Sequence, residues 1–173
     1  FGADLGAEKF VDIKCRKSGI KPSCIVIVAT IRALKMHGGI EKKQLKKENM
    51  SALIKGLVNL ERHINNMKKF GLPVTVAINK FIHDTKKEEN AVIDFCKDLG
   101  VKANLCTHWA DGSKGTRDLA KTVVELSSKG KNKFKYLHED KLPLFKKIEK
   151  IAKEFYKASE VIADSKIRSQ LKE

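Results

Sequence analysis

Hydrophobic residues along this chain fall into two patterns that alternate. Short, nearly continuous apolar runs occupy residues 24–31, 74–78 and 101–106, and such runs are typical of strands buried on both faces in parallel sheets. Between them, apolar residues recur every three or four positions, which is the period of an amphipathic helix. Strands that alternate with helices favour right-handed crossovers. The sequence therefore predicts the α/β class, with a parallel sheet and flanking helices.

The helical segments are marked by their caps and by their periodicity. In chain order they are predicted over residues 3–16, from Asn49 to Gly71, in a segment that ends at Gly100, over 116–128, from Leu144 to Phe155, and over 164–171. The last two form a helical tail, of which the first helix is basic and amphipathic. Three strands make a small sheet. We therefore expect them to be part of a larger sheet with further strands.

The composition is strongly basic: 36 lysines and arginines against 21 aspartates and glutamates give +15 over 173 residues. No nucleic-acid partner is predicted, since almost all the cations are lysines scattered over helix faces, and the few aromatic residues are not interleaved with them. No membrane partner is predicted either, because no apolar run approaches the ~20 residues that span a bilayer. The four cysteines form no CxxC pair, which favours reduced thiols and a cytoplasmic location.

The segment RALKMHGG, residues 32–39, directly follows the first predicted strand. Two cations, a histidine and two glycines thus lie at the carboxyl end of a strand, which is where ligands bind in open α/β sheets. The pattern points to an anionic ligand held beside a flexible backbone. A solvated loop that happens to contain a histidine is equally compatible with it.

Polar side chains follow all three predicted strands, and the carboxyl ends of parallel strands meet at one edge of a sheet. The candidates after the three strands are, in order, Arg32, Lys35, His37, Gly38 and Gly39; then Asn79, Lys80, Phe81 and Asp84; and finally Trp109, Gly112 and Ser113. The only tryptophan of the chain is among them. We expect these residues to form one site at that edge.

The pair Asn79-Lys80 resembles the base-reading element of P-loop nucleotide hydrolases, in which an Asn-Lys pair after a buried strand is followed by an aspartate. Ile82 occupies the position of that aspartate and Asp84 comes two residues later, which argues against guanine and leaves adenine open. Phe81 either stacks on a flat ring or fills the core, and Asn79 is also compatible with a simple loop cap. No Gly-x-x-x-x-Gly-Lys-Ser/Thr phosphate loop occurs in the sequence.

His37 is the best candidate for proton transfer or electrostatic work, since an imidazole titrates near neutral pH. No Ser-His-Asp or Cys-His spacing supports nucleophilic catalysis. No His-Glu-x-x-His motif or acidic cluster predicts a metal site.

Longer stretches of the chain resemble the formate–tetrahydrofolate ligase family. They are FGADLGAEKF, DIKCR, VATIRALKMHGG, NLERHI, FGLPVTVAINKF and HWADGSKG. The resemblance implies an enzyme of one-carbon metabolism that uses ATP to join formate to tetrahydrofolate by way of formyl phosphate. It also implies a P-loop NTPase-like nucleotide domain, ATP with Mg²⁺, activation by a monovalent cation such as K⁺, and a homo-oligomeric parent.

The resemblance assigns roles to the candidate residues. It implies catalytic roles for Arg32, Lys35 and His37 near the formyl phosphate and the folate. It places residues 79–81 and Trp109 in the nucleotide or pterin pocket. The further binding residues are Gly38, Gly39, Asp84, Gly112 and Ser113. The chain departs from the family at residues 81–85, which read FIHDT where many members have Phe-Pro-Thr-Asp-Thr.

The resemblance also implies a domain organisation. Residues 1–130 are predicted to be the C-terminal half of a nucleotide-binding α/β domain. Residues 131–173 are predicted to be a helical extension, which follows a hinge at 129–131 and leads to a further domain. The family's phosphate loop lies upstream of Phe1, so the isolated chain is expected to be inactive. The alternative is a non-catalytic nucleotide-binding or regulatory module.

Overall fold

The computed structural model describes residues 3–128 and 132–171. The chain divides into two compact units. The sheet unit is Pro22–Lys133, and the helical unit is Phe1–Lys21 together with Phe134–Glu173. All the candidate site residues belong to the sheet unit. None of the described helices combines the length and the apolar character that a bilayer-spanning segment needs.

Within the described residues, three parallel strands form the sheet: β1 (Ile25–Ala29), β2 (Val74–Asn79) and β3 (Lys102–Cys106). Their order is β1-β2-β3, so the middle strand β2 pairs with both others. The side chains of β2 are buried up to Asn79, which is half-buried. The predicted parallel α/β architecture is confirmed, and each strand lies at a predicted apolar run.

The helices are α1 (Ala3–Lys9), α2 (Arg16–Ser18), α3 (Ile31–His37), α4 (Met50–Lys68), α5 (Lys86–Asp98), α6 (His108–Asp111), α7 (Arg117–Ser128), α8 (Leu144–Tyr156) and α9 (Ser165–Gln170). A π-helical segment, Phe10–Cys15, joins α1 to α2, and 3₁₀ turns cover Lys42–Gln44 and Gly112–Thr116. The predicted helices are all present. The hinge predicted at 129–131 lies outside the described residues.

Residues 32–37 are helical, and the prediction of a flexible loop there is wrong. Thr30 caps α3, because its Oγ1 accepts a 3.1 Å hydrogen bond from the Ala33 amide. The sequence Arg-Ala-Leu-Lys-Met consists of good helix formers, so a helix begins once a cap is available. The backbone leaves the helix at Gly39, which adopts a φ of 95° that residues with a Cβ rarely reach.

Strand β1 is not buried on both faces, contrary to the prediction. Ile27 and Ala29 are buried, whereas Val26 and Val28 on the opposite face are 38% and 62% exposed. The helix α7 packs against β2 and β3. An apolar run in a sequence does not reveal how far a second layer of helices extends over the sheet.

Helix α4 contributes one apolar face to the core, as predicted. Its buried residues include Leu53, Leu57, Leu60, Ile64 and Met67. Glycines allow α3 and α4 to approach closely, since a Cβ on Gly56 would lie 1.8 Å from the Leu34 carbonyl oxygen. A Cβ on Gly38 would likewise lie 1.8 Å from the Ala52 carbonyl oxygen. Gly38 is therefore required for packing, whatever its role in binding.

The helical unit brings the amino-terminal helices and the tail together. Asp12 Oδ1 accepts a 2.9 Å hydrogen bond from the Leu137 amide. Tyr156 of α8 donates a 2.8 Å hydrogen bond to Glu8 Oε1. The first 21 residues thus group with the tail. The division into residues 1–130 and 131–173 refers to domains of a longer protein and stays a prediction.

Replacing Gly56 by alanine is expected to destabilise the protein by about 1–3 kcal/mol, because the new Cβ collides with the Leu34 carbonyl. Helix propensity alone predicts the opposite sign, a gain of about 1 kcal/mol. Urea unfolding followed by circular dichroism decides between the two. Ser51→Ala, at an exposed position of α4, is the control and should shift the free energy of unfolding by less than about 0.5 kcal/mol. A Gly56→Ala variant of undiminished stability would contradict the close contact.

Candidate functional site

The main chain of Lys80 joins the carboxyl ends of two strands. Its amide donates a 3.0 Å hydrogen bond to the Cys106 carbonyl at the end of β3. Its carbonyl accepts a 2.8 Å hydrogen bond from Trp109 Nε1. The indole of Trp109 is thereby held at one point, while 60% of the residue stays exposed. An exposed aromatic ring in a fixed position is suited to stacking on a flat ligand.

Phe81 follows Lys80 and contacts Arg32 from the start of α3. The guanidinium carbon of Arg32 lies 5.0 Å from the centre of the Phe81 ring, which is within cation–π range. The Phe81 amide donates a 2.8 Å hydrogen bond to Asp84 Oδ2, and the Asp84 amide donates one of 3.0 Å to the Phe81 carbonyl. Asp84 thus closes this turn without the proline that many family members have. Burial raises the pKa of Asp84, although the Phe81 amide acts in the opposite direction.

Arg32, Lys80, Phe81, Asp84 and Trp109 form a contiguous group, here called the edge cluster. The segments that follow β1, β2 and β3 each contribute to it. The structure therefore brings together candidates from all three strand ends. Two aromatic rings beside the exposed guanidinium of Arg32 suit a flat ligand that carries negative charge.

Lys35 does not reach the edge cluster. Its side chain is 0% exposed, and its Nζ donates 2.9 Å hydrogen bonds to Glu88 Oε1 and to the Lys47 carbonyl. An ammonium held in this way is not available to a ligand at the surface. The geometry favours a structural role for Lys35 over the catalytic role that the resemblance implies.

Glu88 is the centre of the polar group around Lys35. Its Oε1 also accepts a 3.0 Å hydrogen bond from the Asn49 amide, and its Oε2 accepts one of 3.2 Å from the Thr85 amide. Burial acts to raise the pKa of Glu88, but the hydrogen bonds and the Lys35 charge outweigh it, so the pKa is lowered. This carboxylate joins α3 to the residues that begin α4 and α5.

His37 lies at the other end of α3 from Arg32, about 7.5 Å further along the helix axis. It is exposed, and Nδ2 of Asn59 lies 3.1 Å from its Nδ1 and 3.2 Å from its Nε2. In the part of the chain that the structure describes, no hydrogen bond or ring contact joins His37 to the edge cluster. Its catalytic role stays a prediction, as do the binding roles of Gly38 and Gly39.

Gly112 and Ser113 follow α6 in a compact segment that Thr107 closes. The Thr107 amide donates a 3.1 Å hydrogen bond to the Gly115 carbonyl, and the Thr107 hydroxyl donates one of 2.6 Å to Asp111 Oδ2. Gly112 has a φ of 57° and a ψ of −141°, a backbone conformation that favours glycine. Both candidates are exposed, and their binding roles stay predictions.

Two adjacent glutamates at the start of α5 are central to the site, although neither is among the sequence candidates. Glu88 and Glu89 are both 0% exposed, and Glu89 Oε1 lies 2.6 Å from Lys80 Nζ. The sequence pattern that could draw attention to Glu88 is a capping box. In it, Thr85 caps α5, and the Glu88 side chain accepts a hydrogen bond from the Thr85 amide. That signal predicts where α5 begins. It does not predict that the carboxylates are buried against lysines.

A metal site and a reactive thiol each place requirements on the described residues. No three of their His, Cys, Asp or Glu side chains are grouped so as to hold a metal ion. Burial raises the pKa of the Cys96 thiol to about 11 and also raises that of Cys106. Such thiols stay protonated at neutral pH.

The fold and the edge cluster define the chain as part of a parallel α/β domain with a candidate ligand site at the carboxyl edge of its sheet. A family model described as formate–tetrahydrofolate ligase matches residues 1–173. The chain belongs to the formate–tetrahydrofolate ligase family. The resemblance found in the sequence is thereby confirmed.

Formate–tetrahydrofolate ligases from several organisms are similar to this chain. The one from Pelagibacter ubique is 69% identical over 172 residues, which cover 99% of this chain and 31% of the relative. The one from Sinorhizobium fredii is 58% identical over 172 residues, with the same coverage of 99% and 31%. The one from Ruegeria pomeroyi is 57% identical over 173 residues, 100% of this chain and 31% of the relative. The chain thus spans 31% of the length of each of these relatives.

Glu88→Gln is expected to lower the free energy of unfolding at neutral pH by about 3–5 kcal/mol, because the Lys35 ammonium is left unpaired in the interior. In the unsubstituted protein, the pKa of Glu88 is lower in the folded state than its ordinary value of 4.5. Its stabilisation is therefore complete above that value and is lost as the pH falls through the folded-state pKa. The Glu88→Gln variant should lack this particular loss.

Urea unfolding from about pH 7 to about pH 3 measures both effects. Lys121→Met, which removes an exposed ion pair with Asp118, is the control and should change stability by less than about 1 kcal/mol. Equal acid sensitivity in Glu88→Gln and in the unsubstituted protein would argue against a charged Glu88 in the folded state.

Proposed function

We propose that this chain is a segment of an ATP-dependent ligase that forms 10-formyltetrahydrofolate from formate and tetrahydrofolate. Family membership supports the reaction. The observation that carries the proposal for this segment is the edge cluster, in which Phe81 and Trp109 flank the main chain of Lys80 beside Arg32. ATP and the folate both combine a flat ring system with negative charge. Aromatic rings beside a cation are suited to bind ligands of this kind.

In the proposed reaction, the γ-phosphoryl group of ATP passes to formate, which gives formyl phosphate and ADP. N10 of tetrahydrofolate then attacks the formyl carbon, and phosphate and the N10 proton leave. Formate, formyl phosphate and the ATP phosphates are anions, so cations placed near the reacting groups stabilise them. Arg32 is exposed and held on the Phe81 ring. We assign it to this electrostatic task, and we do not assign Lys35, because its ammonium is buried.

Phe81 and Trp109 are assigned to binding the ring system of the nucleotide or the pterin. The Trp109 ring is held through Nε1, the Phe81 main chain is held by Asp84, and the Phe81 ring contacts Arg32. Stacking on an aromatic side chain contributes about 1–3 kcal/mol for a nucleic-acid base. The half-buried Asn79, at the end of β2, directly precedes Lys80 and is assigned to the same region.

We also propose that the sheet unit belongs to a P-loop NTPase-like nucleotide domain. Support comes from the parallel strand order and from the Asn-Lys pair that follows the middle strand. The sequence contains no P-loop motif that could cradle phosphates. We therefore propose that the 173-residue chain alone is inactive.

The proposal includes Mg²⁺ bound with ATP, and activation by K⁺. Proteins commonly hold Mg²⁺ through one or two carboxylates together with the substrate phosphates. Asp84 is the carboxyl group of the edge cluster, but its Oδ2 accepts the Phe81 amide, and the described residues contain no grouped ligand set. We therefore assign no metal ligand to this segment and route no step through a metal.

The partners in this proposal are the three small molecules formate, tetrahydrofolate and ATP. A homo-oligomeric parent and a cytoplasmic location stay predictions, as does the lack of nucleic-acid and membrane partners. The strong positive charge of the chain favours the approach of such anions.

A chimeric ligase tests the proposal. In it, the matching segment of the Pelagibacter ubique ligase is replaced by this chain, which is 69% identical to it. We expect formation of 10-formyltetrahydrofolate that depends on ATP and formate, measured by liquid chromatography and mass spectrometry. The isolated chain should give none. A folded chimera without formyl transfer would contradict the function and favour a non-catalytic nucleotide-binding or regulatory module.

Two variants of the chimera, a site variant and its control, test whether the edge cluster binds a ring system. Trp109→Ala should raise the KM for ATP or tetrahydrofolate roughly tenfold, which is the loss of one stacking contact. Val124→Ala removes an exposed apolar side chain of α7 and should leave both KM values unchanged. Equal KM values in the two variants would place the ring-binding site elsewhere.

His37→Ala in the chimera tests the catalytic role predicted for the imidazole. We expect a lower kcat with an unchanged melting temperature, because the side chain is exposed and contacts Asn59. Met36→Ala, at a neighbouring exposed position of the same helix, is the matched control. If kcat and KM are the same in both variants, His37 has no part in the reaction.

A further inference from the structure

Glu89 is a buried carboxylate that the proposed reaction does not use. It lies in the first turn of α5 and is 0% exposed. Both of its oxygens are buried, and neither accepts a hydrogen bond of good geometry from a described residue. Burying a carboxylate is costly unless it is paired. The ion pairs of Glu89 therefore have to offset the free-energy cost of burying its charge.

Two lysines pair with Glu89, and they differ in exposure. Lys80 Nζ lies 2.6 Å from Oε1, and the Lys80 side chain is 29% exposed. Lys86 Nζ lies 3.1 Å from Oε2, and its side chain is 78% exposed. Since exposed ion pairs contribute little, Lys80 is the main partner of Glu89.

Lys80 is also the residue around which the edge cluster is built. Its amide is bound to Cys106 and its carbonyl to Trp109, and Phe81 is the next residue. Binding of the ammonium by Glu89 gives Lys80 a third fixed point, on α5. Lys80 is consequently held by its amide at β3, by its carbonyl at Trp109 and by its ammonium at α5.

We propose that Glu89 is a positioning residue, which binds the Lys80 ammonium and so fixes the spacing between the Phe81 and Trp109 rings. The inference rests on the proposed function, because it takes these rings as the surface that binds the nucleotide or folate ring system. Glu89 also neutralises Lys80. Arg32, and not Lys80, is therefore the cation that the edge cluster presents to an anionic ligand.

The kinetic test uses the chimeric ligase with Glu89→Gln, which removes the charge, and Glu89→Leu, which needs no partner in the interior. The KM for the substrate whose ring binds here should rise roughly fivefold or more with kcat changed less than about twofold, since ring contacts serve binding and not the reacting atoms. Lys80→Met should raise the same KM, and Lys80→Met/Glu89→Leu should raise it no further, because the two residues act as a unit. Lys86→Met is the matched control and should change neither parameter.

Fluorine NMR of the chimera labelled with 5-fluorotryptophan gives a readout that does not depend on activity. The Trp109 signal, identified by its loss in Trp109→Phe, should shift in Glu89→Gln and Glu89→Leu but not in Lys86→Met. The inference is overturned if a folded Glu89→Leu variant keeps both KM values and the Trp109 signal, even with a lower melting temperature. If the unsubstituted chimera transfers no formyl group, the proposed function fails, and the NMR comparison still decides the role of Glu89.

Discussion

The buried ion pair between Lys35 and Glu88 is the interaction on which the geometry of the site depends. Both side chains are 0% exposed and lie 2.9 Å apart, and Glu88 also binds the amides of Asn49 and Thr85. Removing one partner would leave an uncompensated charge in the interior. The pair holds α3, which carries Arg32, near the start of α5, just after the turn that carries Phe81. The edge cluster is therefore assembled by a contact in the core.

Much of this arrangement follows from short-range sequence patterns and one topological rule. The apolar runs identify the strands, and the three- and four-residue spacing identifies the buried face of α4. Parallel strands bring their carboxyl ends to one edge. That rule is sufficient to predict that residues as distant in sequence as Arg32, Phe81 and Trp109 belong together, and the structure places all three in the edge cluster.

The sequence does not reveal which polar residues turn inward. Lys35 and Glu88 are 53 positions apart, and nothing in the neighbourhood of either identifies the other as its partner. The sequence prediction also omits helix α3, and this omission affects the predicted site. In a loop, Arg32 and His37 would both stay at the strand end, whereas a helix moves His37 about 7.5 Å along its axis. The backbone conformation of residues 31–37 thus decides which candidates lie together.

The two glutamates in the first turn of α5 determine which lysines of the site are neutralised. Consecutive helical residues project about 100° apart, so Glu88 and Glu89 face different neighbours and bind Lys35 and Lys80, respectively. The helix dipole favours negative charge in this turn, but two adjacent buried carboxylates also repel each other, so each requires its own cation. Two of the lysines that the sequence offers to an anionic ligand are therefore used by the fold. The guanidinium of Arg32, on the Phe81 ring, is the cation that remains for the ligand.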